Sequence, residues 1–248
     1  MCDDISRFKE DFLKVKDLGF VRSSRTNSTG VGKTFEDFVG VAENNLKEPD
    51  LHGFEVKAQR SYSGSYVTLC TKSPTHPIKA NQYIKDKYGY PDQSHPNIKV
   101  IHTSIFHNKF SINSYSGVKF RLQVDLLEKR VYVLVFNLNE EVIDSSIYYS
   151  FESIDNALRK IKNLAYVSAQ TEKRNFEEFF HFTNAILFSE MKGLDHFLQE
   201  IINGNIMYDV RIGAYKSGNK IGKAHDHGSG FRIKRMLLNG MYDKYLEI

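Results

Sequence analysis

The chain has 248 residues, 41% hydrophobic and 13% aromatic, enough for one domain with a sizeable core or for two lobes. Its net charge of +4, from 34 basic and 30 acidic residues, permits a nucleic-acid partner without requiring one, because solubility alone accounts for such a value. Two cysteines, Cys2 and Cys70, exclude a disulfide framework, and no run approaches the length of apolar sequence that spans a membrane. Met1-Cys2-Asp3-Asp4 does not open a basic-then-apolar leader, so a soluble, cytoplasmic protein is expected.

Residues 4–17 read as a helix with Ile5, Phe8, Phe12 and Val15 on one face. Residues 21–33, rich in Ser, Thr, Asn and Gly, read as a loop. A second helix is expected over 35–44, with Thr34 as its N-cap, Asp37 three residues on, and Phe35, Phe38, Val39 and Ala42 at helical spacing. Glu48-Pro49-Asp50 then turns the chain into a strand at 53–60, followed by another at 65–71. Residues 73–97 hold four of the five prolines and read as a long loop with one helical turn. Alternation returns at 109–113, 117–124 and 130–137, the pattern of a meander. Helices are expected at 152–162 and 194–203, and strands at 164–172, 179–190 and 206–212. Residues 213–230 carry five glycines and read as loop, with a final helix after Arg232. The sum is a mixed α/β (α+β) chain with mostly antiparallel strands.

The segment Pro49-Asp50-Leu51-His52-Gly53-Phe54-Glu55-Val56-Lys57 carries the chemistry. On a strand Glu55 and Lys57 share one face, while Phe54, Val56 and Ala58 point into a core. Asp50, just before the strand, can fold back onto the charged face. Two carboxylates are hard oxygen ligands for Mg2+, and a neighbouring lysine can orient water and stabilise developing charge. The bare spacing is weak, and on spacing alone a solvated strand face with a surface salt bridge is the better reading. The Pro-Asp turn and the strict alternation favour a site. Glu36, one position off the apolar stripe of the second helix, is a candidate fourth acidic group and is equally well read as an exposed helix carboxylate.

Gly30-Val31-Gly32-Lys33-Thr34 imitates the end of a phosphate-binding loop, but the first glycine of that motif would stand where Asn27 does and no apolar strand leads in. Nucleotide binding is rejected; on spacing alone the segment reads better as a helix-entry loop than as a glycine-rich turn whose amides touch a DNA phosphate. The second dense region is Asp209-Val210-Arg211-Ile212-Gly213-Ala214-Tyr215 with His225-Asp226-His227-Gly228-Ser229-Gly230-Phe231-Arg232. Arginine and histidine can donate to guanine O6 and N7, and glycines allow close approach of backbone to a groove. A surface hairpin with satisfied polar residues is an equal reading. Zinc is disfavoured, since His225 and His227 lack a third and fourth ligand.

The block Thr29–Glu36, running on through Pro49-Asp50 to Glu55-Val56-Lys57, resembles the MvaI/BcnI family of type II restriction endonucleases, which is related to the mismatch-repair nickase MutH within the PD-(D/E)xK superfamily. The segments around Arg211 and His225–Arg232 resemble the same family's recognition region, and together the blocks cover about a quarter of the chain. The resemblance implies a PD-(D/E)xK core with a mixed sheet and two lobes around a DNA-binding cleft. It implies a mainly catalytic lobe over 1–150 and a mainly recognition lobe over 151–248, with interleaving allowed. It assigns Asp50, Glu55, Lys57 and Glu36 to catalysis, with Asp50 and Glu55 as the Mg2+ ligands. Arg211, Tyr215, His225, His227, Arg232 and Lys33 become the DNA contacts. It further implies a bacterial, cytoplasmic monomer cutting double-stranded DNA at a short GC-rich near-palindrome of the CC(A/T)GG type, with a cognate methyltransferase as a functional but unbound companion. The spacing from Asp50 to Glu55 is shorter than in MutH. The competing readings are a MutH-type nicking enzyme and a DNA-binding module without catalysis.

Overall fold

The apolar stripe of the first helix seeds a core. In the computed structural model, which describes residues 2–26, 29–40, 49–61 and 66–248, the helix Cys2–Asp17 buries Phe8, Phe12 and Val15. Asp3 and Asp4 in its first turn and Lys14 and Lys16 in its last complement the helix dipole. The second helix, Gly30–Phe38, adds Val31 and Phe35 to the same cluster. Phe35 meets Phe182 edge-on at 5.2 Å. Both helices cover one face of a five-stranded sheet ordered Val21–Arg22, Glu177–Met191, Leu164–Arg174 and Glu55–Arg60, with Tyr242–Glu247 also paired to Glu177–Met191. Glu55–Arg60 runs parallel to Leu164–Arg174, and the other pairs are antiparallel. These elements form one compact unit: Met1–Ser65, Arg159–Lys192 and Leu238–Ile248.

The second helix begins five residues earlier than its expected start, so Thr34 lies inside it and does not cap it. The Thr34 hydroxyl donates to the Gly30 carbonyl at 2.7 Å and accepts from the Ser24 amide at 2.9 Å. It therefore ties the preceding segment to the helix. Gly30 is required there, because a Cβ would stand 2.4 Å from the Arg25 carbonyl oxygen. The expected extension over 41–44 lies outside the described residues.

The second unit comprises Tyr66–Leu158 and Gly193–Leu237. Its larger sheet is ordered Tyr66–Thr71, Gly230–Lys234, Ile206–Ala214, Lys99–Ile105 and Tyr90–Pro91, with Ala224–Asp226 also on Ile206–Ala214. The expected meander forms a separate sheet from Ser111–Asn113, Val118–Asp125 and Arg130–Phe136, extended by Val142–Asp144 and Tyr148–Ser150. The helices Phe151–Leu158 and Gly193–Ile202 fall where periodicity puts them.

Three expectations are corrected here. The proline-rich stretch holds a nine-residue helix, Ala80–Tyr88, which buries Ala80, Ile84 and Tyr88 one turn apart. The glycine-rich stretch holds the strand Ala224–Asp226. In place of a final helix, a 3-10 segment, Arg235–Met241, leads into the strand Tyr242–Glu247 of the first unit.

Asp144 fastens the Ala80–Tyr88 helix to the meander, accepting from Tyr83 Oη at 2.7 Å, Tyr88 Oη at 2.6 Å and the Ser146 hydroxyl at 2.7 Å. Burial opposes its ionisation, but the bonds from Tyr88, Ser146 and Tyr83 outweigh burial and hold the carboxyl well below the usual carboxylate range. The unfolded chain therefore takes up this proton first as pH falls. The stability that Asp144 contributes is complete above about pH 4 and is lost as pH drops towards its folded value. Asp144→Asn should lower the melting temperature at neutral pH and flatten its fall between about pH 5 and pH 2. An unchanged acid limb in thermal melts would contradict the assignment.

Candidate active site

Leu51, His52, Gly53 and Phe54 close a two-residue turn: the Leu51 amide donates to the Phe54 carbonyl at 3.0 Å and the Phe54 amide returns the bond at 2.9 Å. His52 and Gly53 both have positive φ, 46° and 78°, as such a turn demands. His52 Nε2 lies 2.8 Å from Asp11 Oδ2 on the first helix, which anchors the turn. The His52 bond, reinforced by Lys14 against the cost of burial, holds the Asp11 carboxyl below the usual range.

This turn brings Asp50 back onto the strand. Asp50 Oδ2 accepts from the Val56 amide at 3.2 Å. Phe54 and Val56 are buried in the helix-covered core, while Glu55 and Lys57 leave on the opposite face, as alternation expects. Lys57 Nζ donates to Glu55 Oε1. The sequence reading missed Lys160, on the 3-10 turn Arg159–Ile161 that enters the neighbouring parallel strand. Its Nζ lies 3.2 Å from Asp50 Oδ1 and 2.9 Å from Glu55 Oε2. The second approach is an ion contact without hydrogen-bond alignment, so Glu55 Oε2 is buried with no hydrogen-bond partner. Burial works against the Lys160 charge, yet Glu55 and Asp50 outweigh it and raise the ammonium's pKa. Tyr242 Oη donates to the Ile161 carbonyl at 2.9 Å and pins this turn.

The donor set fits a hard dication. Two carboxylates converge, and a buried carboxylate oxygen waits without a hydrogen bond. No group of three or more His, Cys, Asp or Glu side chains gathers among the described residues. Asp50 and Glu55 are the pair that could contribute carboxylate oxygens to a divalent cation, which takes its other ligands from water and phosphate oxygens. Glu36 lies half-buried on the helix that packs against this strand. Lys33, on the same helix, pairs with Asp37 at 2.5 Å.

The remaining candidates gather in the second unit. Asp209, Arg211 and Gly213 alternate on one face of Ile206–Ala214. Asp209 Oδ2 receives Arg211 Nε at 2.6 Å and lies 3.0 Å from Arg232 Nε, and its Oδ1 accepts from Ser104 Oγ at 3.0 Å. Arg211 is exposed, and its bond to Asp209 runs through Nε. Arg232 is 9% exposed and also donates to the Gly228 carbonyl at 3.1 Å. Burial, then the Arg211 charge, lower its pKa. Tyr215 stacks on His225 with ring centres 4.5 Å apart, and His225 lies 4.4 Å from His227. The His227 ring passes close over Gly213, where a Cβ would stand 2.4 Å from Nε2. His102, opposite Arg211 on the next strand, is a further member that sequence reasoning missed. Burial first, then the neighbouring His227 and Arg211, depress its pKa.

A mixed sheet with Glu55 and Lys57 on one strand and Asp50 turned back onto it, and in the second unit Arg211 and Arg232 with Tyr215 stacked on His225, is the arrangement of a restriction-endonuclease-like fold. The model of the MvaI/BcnI restriction endonuclease family matches residues 9–242, and the chain belongs to that family. It is similar to the restriction endonuclease MvaI in complex with its cognate DNA substrate, with a TM-score of 0.88 and 35% identity over 97% of this chain and 96% of that one. It is also similar to MvaI in the absence of DNA, with a TM-score of 0.63 and 34% identity over 100% of this chain and 98% of that one. No curated protein sequence matches significantly. The chain is thus a type II site-specific endonuclease, and its family carries a general requirement for a divalent metal.

Asp209 holds two arginines at once, one of them buried. Asp209→Ala should therefore cost about 3 kcal/mol, because it leaves the Arg232 charge buried and uncompensated. Urea unfolding measures this. A loss under about 0.5 kcal/mol, the range of ordinary surface changes, would show that Asp209 is not the organiser of the face.

Proposed function

We propose that the chain hydrolyses double-stranded DNA with Mg2+ at a short GC-rich near-palindrome of the CC(A/T)GG type. The observation that supports this best is the pairing of Asp50 and Glu55, one oxygen of each on Lys160 Nζ at 3.2 and 2.9 Å, with Lys57 held on the other oxygen of Glu55. Asp50 and Glu55 would hold the metal. Bound there, Mg2+ supplies charge neutralisation at the scissile phosphate and a more acidic water. The Lys57 ammonium, bonded to Glu55 Oε1, would donate to the developing charge on phosphorus-bound oxygens and orient the attacking water. Addition of that water's oxygen to phosphorus breaks one ester bond, and the departing oxygen takes up a proton. The Glu36 assignment rests on the family resemblance, as an outer ligand.

Arg211 is the principal base reader in this proposal. With Nε committed to Asp209, its two terminal nitrogens match guanine O6 and N7. His225 and His227 donate to the same kind of edge, and Tyr215 supports them by stacking. Arg232, more deeply held, serves chiefly to fix Asp209 and the Gly228 backbone. Lys33 serves as a phosphate contact. The enzyme acts as a monomer in the bacterial cytoplasm, reading two unequal half-sites with different side chains, beside an unbound methyltransferase that protects the same site.

Plasmid incubated with pure protein and Mg2+ should become linear without added partners. Nicked circles alone would favour a MutH-type nickase, and intact but retarded DNA a binding module. Asp50→Ala and Glu55→Ala should abolish cleavage while retaining specific binding. Lys57→Ala should slow cleavage by about 100-fold or more. Ca2+ should support binding with little turnover, since its looser coordination replaces neither the geometry nor the acidity of Mg2+. Wild-type rates in either carboxylate variant would sink the metal assignment.

Arg211→Ala should cost roughly 1–3 kcal/mol in binding and relax discrimination at one base pair. Loss of a phosphate-contacting lysine should instead weaken all DNA equally and reduce the salt dependence. A panel of single-base variants separates the two. Uniform losses for Arg211→Ala, His225→Ala and His227→Ala would place base reading elsewhere.

A further inference from the structure

We infer that Lys160 is the built-in counter-cation of the Asp50–Glu55 pair and gives up that place when a divalent ion binds. The inference rests on the metal reading of the two carboxylates above. Lys160 Nζ touches one oxygen from each of them, Asp50 Oδ1 at 3.2 Å and Glu55 Oε2 at 2.9 Å. A dication held by Asp50 and Glu55 would draw on the same two carboxylates at the much shorter distance of about 2.1 Å typical of Mg2+. An ammonium and a dication on one oxygen pair would stand close enough to repel strongly in a half-buried site, so the two states exclude each other.

The chain has a reason to supply its own cation. Glu55 is 5% exposed, and Lys57 reaches only its Oε1. Without Lys160 the second oxygen would be left buried beside Asp50 with no opposing charge, which destabilises a fold. Lys160 does this from a fixed base. The Ile161 carbonyl is held by Tyr242 Oη at 2.9 Å, the Lys162 carbonyl by the Met191 amide at 3.1 Å, and the Asn163 carbonyl by the Glu55 amide at 3.0 Å. The backbone on the far side of Lys160 is therefore tied down, while its side chain is 29% exposed and rides on a flexible four-carbon stem. Exchange of ammonium for metal is a side-chain movement.

Competition and support make opposite predictions. If Lys160 only braced the site, its removal would loosen the carboxylates and weaken metal binding. If it competes, its removal strengthens metal binding while destabilising the metal-free protein. The test titrates Mn2+ into DNA-free protein, reading free Mn2+ by electron spin resonance, and records melting temperatures in a chelator and in Mn2+. Lys160→Met should bind Mn2+ about tenfold more tightly than wild type, melt lower in chelator and gain more from the metal. Lys160→Arg, which keeps the cation, should stay near wild type. Lys160→Gln, polar and uncharged, gives the same reading if the methionine variant does not fold. Unchanged or weaker Mn2+ binding in a folded, uncharged variant overturns the inference. If wild-type protein shows no Mn2+ binding that Asp50→Asn removes, the metal reading itself fails, which is a separate result.

Discussion

The placement of Glu55 governs the first unit. Its carboxylate is buried on the face of the sheet opposite the helices, so each of its oxygens must find a positive partner. Lys57 answers from the same strand and Lys160 from the turn entering the next. Much of the local architecture serves that requirement. The His52-Gly53 turn returns Asp50 to the strand, Asp11 holds the turn, and Tyr242 holds the segment that carries Lys160. The carboxylate proposed as a metal ligand is also a structural liability, and its burial is tolerated because two lysines stand against it.

The legible half of the site is the half that is contiguous in sequence. Asp50, Glu55 and Lys57 could be read because period-two alternation decides which side chains share a face once a strand is recognised. Lys160 carries no such mark. It reaches the carboxylates through parallel pairing of Glu55–Arg60 with Leu164–Arg174, a long-range contact that leaves no local pattern. On the second unit, Arg211 was legible from its own strand, whereas His102 arrives by cross-strand register. Asp209 stood in the quoted segment, but its hold on Arg211 and Arg232 is a tertiary fact.

The fold shows the same division. Helices with clean apolar stripes and the meander with its alternation fell where expected. Ala80–Tyr88 was hidden because prolines on both sides signalled loop, although they lie outside the helix itself. Thr34 misled for a chemical reason, since the hydroxyl that caps a helix from outside can equally bond the carbonyl one turn back from inside. Lys33 and its glycines mimic a phosphate loop, yet Gly30 is dictated by the Arg25 carbonyl and Lys33 pairs with Asp37.

The chain leaves the first unit at Ser65, returns at Arg159, leaves again at Lys192 and comes back at Leu238. A ribosome therefore makes the acidic half of the site long before the lysine that neutralises it, and the tyrosine that steadies that lysine is made later still. Before residues 160–174 are made, Glu55 lacks both its second cation and its parallel neighbour strand. A partial translation product would carry the two carboxylates without the cation that balances them. The order of synthesis thus separates a buried carboxylate from the cation that balances it by about a hundred residues of chain.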